Sequence, residues 1–371
     1  MKKKKSLLRF DIPKLDIGQK IDKVLLFEVL GLLAFGIIAV YNSSSVIATY
    51  EFNDKYYFLK EQLKWVFVGG IALFISSMIP YKKWYNLAIF LLIISIILLA
   101  IVLIPGIGVV TKGAKRWLFF GGQPSEFAKL SLVIYLSAWF SSKEKGRLWA
   151  FLILCGIIVG LIILQPDMGT AVVLGLTALI MYFLSGAPIW HFLLLLPLSG
   201  IAGFLLIKIA PYRFNRLLSF LNSEIDPLGM SYHIRQVLIA IGSGGLWGLG
   251  LGKSRQKFSY VPESTTDSIF AIIGEELGFI GAAILILAFF IIVYRGMKIA
   301  GKAPDEFGKL LAAGITSWLG LQTIINLSAM VALIPLTGVP LPLISYGGSA
   351  LTVNLFAIGI LLNISKYIKQ N

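Results

Sequence analysis

The chain has 371 residues, 33 Lys and Arg against 18 Asp and Glu, a formal net charge of +15 and 57% hydrophobic residues. Charged residues make up 14%, well below the soluble-domain average of about 25%, and the mean hydropathy is +0.86. These values exclude a soluble globular domain and imply an all-α, polytopic membrane helical bundle. The basic residues are spread over tails and loops with no basic stripe and interleaved aromatics, which excludes nucleic acid as a partner. Cys155 is the single cysteine, so there is no internal disulfide, and with only His191 and His233 beside it no Cys/His metal site can be assembled.

In chain order, residues 1–23 form a basic stretch without an apolar core or cleavage site, read as a cytoplasmic tail rather than a signal peptide. Apolar segments of bilayer length, about 20 residues each, are predicted at 24–43, 63–80, 84–106, 124–141, 148–164, 169–185, 188–210, 268–294, 307–333 and 346–364. One domain over 24–364 follows, with a short cytoplasmic tail at 365–371. Lys82 and Lys83, then Lys143, Lys145 and Arg147, then Arg295, Lys298 and Lys302 recur at every second connection, and Lys366 and Lys369 close the chain. Basic residues in short loops mark the cytoplasmic side, so both termini are expected inside.

The rule is broken in two places. The outward loop after the third span carries Lys112, Lys115 and Arg116, and the long outward connection at about 211–267 carries Arg213, Arg216, Arg235, Lys253, Arg255 and Lys257. Cations there pair either with anionic lipid or with an anionic ligand, because arginine forks match phosphate geometry. The glycine-dense stretch AIGSGGLWGLGLGKS (240–254) ends in Gly-Lys-Ser, but Trp247 stands where a P-loop needs its first glycine. It reads first as chain folded back against helices, and second as an anion-binding nest.

Charged groups at membrane depth face a cavity or a partner, which singles out Glu28, Glu126, Lys129, Asp167, Asp267, Glu275 and Glu276. Glu126 and Lys129 lie one turn apart and can pair with each other. Glu275 lies about 12 Å below Asp267 at 1.5 Å per residue and reads, with Glu276, as a buried structural carboxylate. Asp267, Ala271, Gly274 and Gly278 share one helical face, small enough for a close neighbour. Two roles stay open for Asp267: a cap for the amides of Ser268, Ile269 or Phe270, or a general base at the outer interface.

GAKRW (113–117), QPSEFAKLSL (123–132), QPDMGT (165–170), PYRFNRLLSF (211–220), AIGSGGLWGLGLGKSRQKFSYVPESTTDSIFAIIGEELGF (240–279) and PLPLISYGGSA (340–350) follow one another along the chain. Together they resemble the successive signatures of the SEDS family, which includes FtsW and RodA, over about residues 24–364. The resemblance implies a ten-helix peptidoglycan glycosyltransferase in the bacterial cytoplasmic membrane, its active site facing outward. The substrates implied are lipid II and the growing glycan-linked undecaprenyl diphosphate. The expected partners are a class B penicillin-binding protein transpeptidase and other membrane proteins of the division or elongation machinery. Asp267 matches the family's essential acidic position, and Arg116, Lys129, Gln165 and Asp167 match recurrent polar positions. Arg213, Arg216, Lys257, Glu263 and Ser345 complete the expected substrate-binding set.

No tightly bound cofactor is expected; a divalent cation, Mg or Mn, is left open. The family's common His-Thr-Asp-Phe reads Thr265-Thr266-Asp267-Ser268 here, so a relay role for that histidine does not carry over; His233 is the nearest imidazole in the same connection. The signature around Asp267 leans toward the division branch over the elongation branch. Two other classes compete. A lipid II flippase needs polar groups through the full membrane depth, and a non-catalytic scaffold needs neither Asp267 nor the cations.

Overall fold

The computed structural model describes residues 21–111, 114–118, 121–142, 148–221, 231–258 and 260–368. Most of the expected basic tail, Lys112, the Lys143/Lys145/Arg147 cluster and Lys369 lie outside the described residues. A helix occupies each of the ten predicted apolar ranges: α1 (Lys23–Phe52), α2 (Tyr57–Met78), α3 (Lys82–Ile101), α4 (Pro124–Ser141), α5 (Leu148–Leu164), α6 (Met168–Leu184), α7 (Ile189–Ile209), α10 (Ile269–Lys302), α11 (Glu306–Met330) and α12 (Gly348–Ser365). Two shorter helices, α8 (Pro211–Leu221) and α9 (Tyr232–Ser243), lie in the long connection. Among the described residues six helices, α1, α3, α7, α10, α11 and α12, are long and apolar enough to cross a membrane, and α5 and α6 are apolar but shorter. The protein is a multi-span helical membrane protein.

The bundle is built around α11 and α12, whose residues are mostly buried. α11 packs against α4, α6 and α10, and α12 lies along α2. At the centre Trp318 is fully buried, with the Lys129 ammonium 5.1 Å from its ring centroid. Within α7 only His191 and Leu195 are buried, placing it at the periphery against α8.

Several boundaries differ from the hydropathy reading for local reasons. α1 runs past the polar Asn42-Ser43-Ser44-Ser45 run because Ser43, Ser44, Ser45 and Thr49 hydroxyls donate to carbonyls three or four residues back, satisfying themselves within the helix. α3 stops at Ile101, and an antiparallel hairpin of β1 (Gly108–Thr111) and β2 (Ala114–Leu118) follows. That hairpin, which carries Arg116, was not predicted. α10 is interrupted at Gly278, where φ is 66° and ψ is −166°.

The interruption explains the glycine-dense stretch. Leu249 and Gly250 N–H groups donate to Glu275 and Glu276 carbonyls at 3.0 Å, and Phe279 and Ile280 N–H groups donate to Gly245 and Leu246 carbonyls at 2.9 and 3.2 Å. A Cβ at Gly244, Gly248 or Gly278 would collide with the facing backbone, so only glycine permits this approach. The stretch is chain folded back against a helix, as its first reading held. On the small face of α10, Gly274 receives α9 and Gly278 receives this loop.

Candidate functional site

Asp267 lies in a turn just before α10, whose N-cap position falls on Ser268. The turn closes on itself: Glu263 adopts φ 54°, a strained conformation for a residue with a side chain. Its carbonyl accepts the Thr266 and Ser268 N–H groups at 3.1 Å each, and its carboxylate accepts Thr266 Oγ1 at 2.9 Å.

Asp267 opens into a cavity of about 320 Å³ lined also by Arg116, Asp167, Arg216, His233, Glu263 and Gly338. Each comes from a different local device. Asp167 caps α6, its Oδ1 accepting the Thr170 N–H at 3.1 Å while Oδ2 accepts Gln123 Nε2 at 3.0 Å. Arg116 is held over it by β2, with Nη1 4.0 Å from Asp167 Oδ1. Arg213 and Arg216 lie three apart on α8 and so share one face. Arg216 donates to the Leu336 carbonyl at 3.4 Å, and Arg213 ties α8 to Leu206 and Ile163 carbonyls at 3.1 Å each.

His233 on α9 bonds Ser268 Oγ through Nε2 at 2.8 Å. Burial lowers its pKa to about 4, with Glu263 opposing and the Arg216 charge adding to the depression. It is therefore a neutral imidazole at pH 7 beside Asp267.

The cavity continues into a smaller apolar one of about 160 Å³, and the two share Met168, Arg216, Leu336 and Thr337. Arg213, Val172, Ile207 and Leu217 line the apolar part. A charged compartment joined to an apolar groove suits an amphiphile with an anionic head.

The structure thus brings together Arg116, Asp167, Arg216, Glu263 and Asp267 from the expected set, with Arg213 at the adjoining groove. It does not bring the other four into the cavity. Lys257 is buried against α1 and α10, its Nζ bonding the Gly252 carbonyl at 2.6 Å, Asn42 Oδ1 at 3.0 Å and Glu276 Oε1 at 3.4 Å. Asn42 also donates to Glu276. A lysine whose donors are taken by buried partners is internal neutralisation, which corrects its assignment to substrate. Lys129 pairs with Glu126 at 2.9 Å and donates to Gln322 at 2.8 Å, the helix-internal pairing its spacing allows. Gln165 is buried, its Nε2 donating to the Leu99 carbonyl at 3.0 Å. Ser345 donates to the Thr266 carbonyl at 2.6 Å, and so supports the acidic turn from behind.

Glu275 and Glu276 are structural, as read. Glu275 accepts Ser254 Oγ at 2.5 Å and the Arg255 N–H at 3.0 Å, and Glu276 accepts the Ser254 N–H at 3.1 Å. Arg235, Lys253 and Arg255 are exposed and outside the cavity lining. Among the described residues no group of three or more His, Cys, Asp or Glu side chains could hold a metal ion, so no ligand is named for Mg or Mn.

His233, Leu336, Thr337 and Gly338 line the cavity beyond the expected set. Gln322 and Asn326 are uncharged and so do not stand out among charged groups at membrane depth. Amides in an apolar span carry the same signal, since burial without a hydrogen bond costs about 2 kcal/mol or more.

The family model described as "Cell cycle protein", covering FtsW, RodA and SpoVE, matches residues 23–370. The chain belongs to the FtsW/RodA/SpoVE family. Stage V sporulation protein E of Bacillus subtilis is 44% identical over 356 residues, covering 93% of this chain and 97% of the relative. A probable peptidoglycan glycosyltransferase FtsW of Trichlorobacter lovleyi is 42% identical over 362 residues, covering 94% of each. A chain from a solved peptidoglycan synthase complex, described as coordinating polymerization and crosslinking, superposes with a TM-score of 0.79 at 28% identity over 95% of this chain and 99% of that one. The SEDS resemblance is thereby established at family level, and the helical membrane fold with it.

Proposed function

We propose that this protein is a peptidoglycan glycosyltransferase that polymerises lipid II into glycan strands at the outer face of the bacterial cytoplasmic membrane. The observation that carries the reading is one cavity in which Asp267 faces Arg116 and Arg216 and which continues into an apolar groove. Relatives named as peptidoglycan glycosyltransferases support the reaction class. Ten membrane crossings with both termini inside accord with the basic residues of the short connections.

In this mechanism Asp267 takes the proton from the 4-hydroxyl of an acceptor sugar as that oxygen attacks the anomeric carbon of the growing chain. The bond to undecaprenyl diphosphate breaks with inversion, and the leaving diphosphate takes up negative charge. Arg116 and Arg216 stabilise that charge, while the groove holds the first part of the lipid chain. Neutral His233 offers the sugar a hydrogen bond without competing with the arginines for phosphate. A class B penicillin-binding protein is the proposed partner, in keeping with the structural similarity to a synthase complex chain.

The test is polymerisation of labelled lipid II by purified protein in liposomes, alone and with the transpeptidase. Wild type is expected to make glycan strands and folded Asp267→Asn to lose about 10²-fold or more of the rate. No polymer from wild type with its partner would reject the reaction, and a fully active Asp267→Asn would reject the base.

A further inference from the structure

The residues that precede α10 are not held by its helical ladder, yet three successive carbonyls of the acidic turn are each bonded from the α11–α12 region. Thr265 O accepts the Tyr346 N–H at 2.9 Å, Thr266 O accepts Ser345 Oγ at 2.6 Å, and Asp267 O accepts Asn326 Nδ2 at 2.8 Å. Two of these side chains are bridges. The same Asn326 nitrogen donates to Val339 O at 2.8 Å, and Ser345 Oγ accepts the Leu341 N–H at 2.8 Å. The Asn326 NH₂ thereby donates to both the turn and its neighbouring segment, the Ser345 hydroxyl donates to the turn and accepts from that segment, and both side chains are buried.

The bridged residues, Val339 and Leu341, directly follow the wall of the cavity in the chain. Leu336, Thr337 and Gly338 line it together with Asp267. Gly338 has φ 71°, and a Cβ there would stand 3.5 Å from Asp267 Oδ2. Carboxylate and wall thus face each other across a short distance, and the bonds of Asn326 and Ser345 tie the acidic turn to the chain immediately after that wall.

We propose that Asn326 and Ser345 are positioning residues for Asp267: they lock residues 265–267 to the segment 339–341, so that the carboxylate keeps a set distance from substrate lying against Leu336, Thr337 and Gly338. This rests on the reading of Asp267 as general base. Neither side chain needs to touch substrate. Their effect falls on the rate, because a reacting group displaced by about 1 Å can lose about 10²-fold.

The experiment compares wild type, Asn326→Ala, Ser345→Ala and Ser345→Thr in nanodiscs, by steady-state polymerisation of labelled lipid II and by amide hydrogen exchange resolved to peptides over 263–268. Both alanine variants are expected to exchange faster over 263–268, as a locally loosened turn does, with α11 unchanged. They are also expected to lower kcat by about ten- to a hundred-fold with KM within about twofold. Ser345→Thr keeps the hydroxyl and restores both.

Unchanged exchange over 263–268 in both alanine variants overturns the lock, whatever the activity. Faster exchange with an unchanged kcat overturns the positioning role. Exchange that rises throughout the bundle, with Ser345→Thr failing to restore the rate, means general destabilisation and also overturns it. Wild type that makes no polymer rejects the glycosyltransferase reading and with it the role toward Asp267; the exchange arm still decides separately whether the bonds hold the turn.

Discussion

Asp267 and Lys257 show how residue type and residue role separate. Both are charged groups in the same connection, but one opens into a shared cavity and the other has its ammonium surrounded by Gly252, Asn42 and Glu276. Lys257→Met is therefore expected to leave Glu276 uncompensated and to destabilise the protein by about 3 kcal/mol or more, read as a lower unfolding midpoint, with kcat of the surviving folded fraction close to wild type. Arg216→Ala should do the reverse: little change in midpoint and a loss of about 10²-fold in kcat. His233 supplies a pH signature. Its native pKa, about 4, lies below the ordinary 6.5, so the unfolded chain binds the proton first and stability falls as pH drops from about 6.5 toward 4. Thermal unfolding between those values should show a shallower pH dependence in His233→Asn than in wild type.

At the level of elements, hydropathy found a helix at each of ten ranges because membrane helices must satisfy their own backbone and are therefore long apolar runs. It misplaced the ends where polar side chains bond back to the helix, as in Ser43 to Ser45 of α1. It also missed the break in α10, since a glycine in an apolar run reads as part of the run. Gly278 and Gly248 are the points where the folded-back loop meets α10, so Gly278→Ala should cost more than about 1 kcal/mol from its positive φ alone, with a further penalty from collision with the loop backbone. The expected observation is a lowered unfolding midpoint and faster amide exchange over 244–258. A strand hairpin was legible in principle, from a short β-prone run on each side of a Lys-Gly pair, and it is what carries Arg116 into the cavity.

On the scale of the molecule, the polar groups at membrane depth separate into two sets. Glu126, Lys129 and Gln322 satisfy one another inside the bundle, and Glu275, Glu276 and Lys257 do so under the folded-back loop. Asp167 and Asp267 share the cavity with Arg116 and Arg216, while Glu28 on α1 lines a separate pocket. The proposed orientation is checked by labelling whole cells with an impermeant maleimide in a Cys155→Ser background. Lys253→Cys should label from outside and Lys298→Cys only after permeabilisation; the opposite pattern would invert the topology.

Composition and pattern by themselves determined the solvent, the helical class and the positions of the long helices; for Asp267 they left a helix cap and a general base both open, and the resemblance to the family singled it out. The first three follow from local physics, because a bilayer demands apolar length. Only the tertiary structure decided which cations share the cavity. Lys257 and Arg216 are equivalent in charge and location along the chain, and the difference lies in whether the fold supplies an internal acceptor for each donor. The same is true of Asn326 and Ser345, ordinary polar residues far from Asp267 in sequence, which acquire their role because packing of α11 and α12 brings their donors to its backbone.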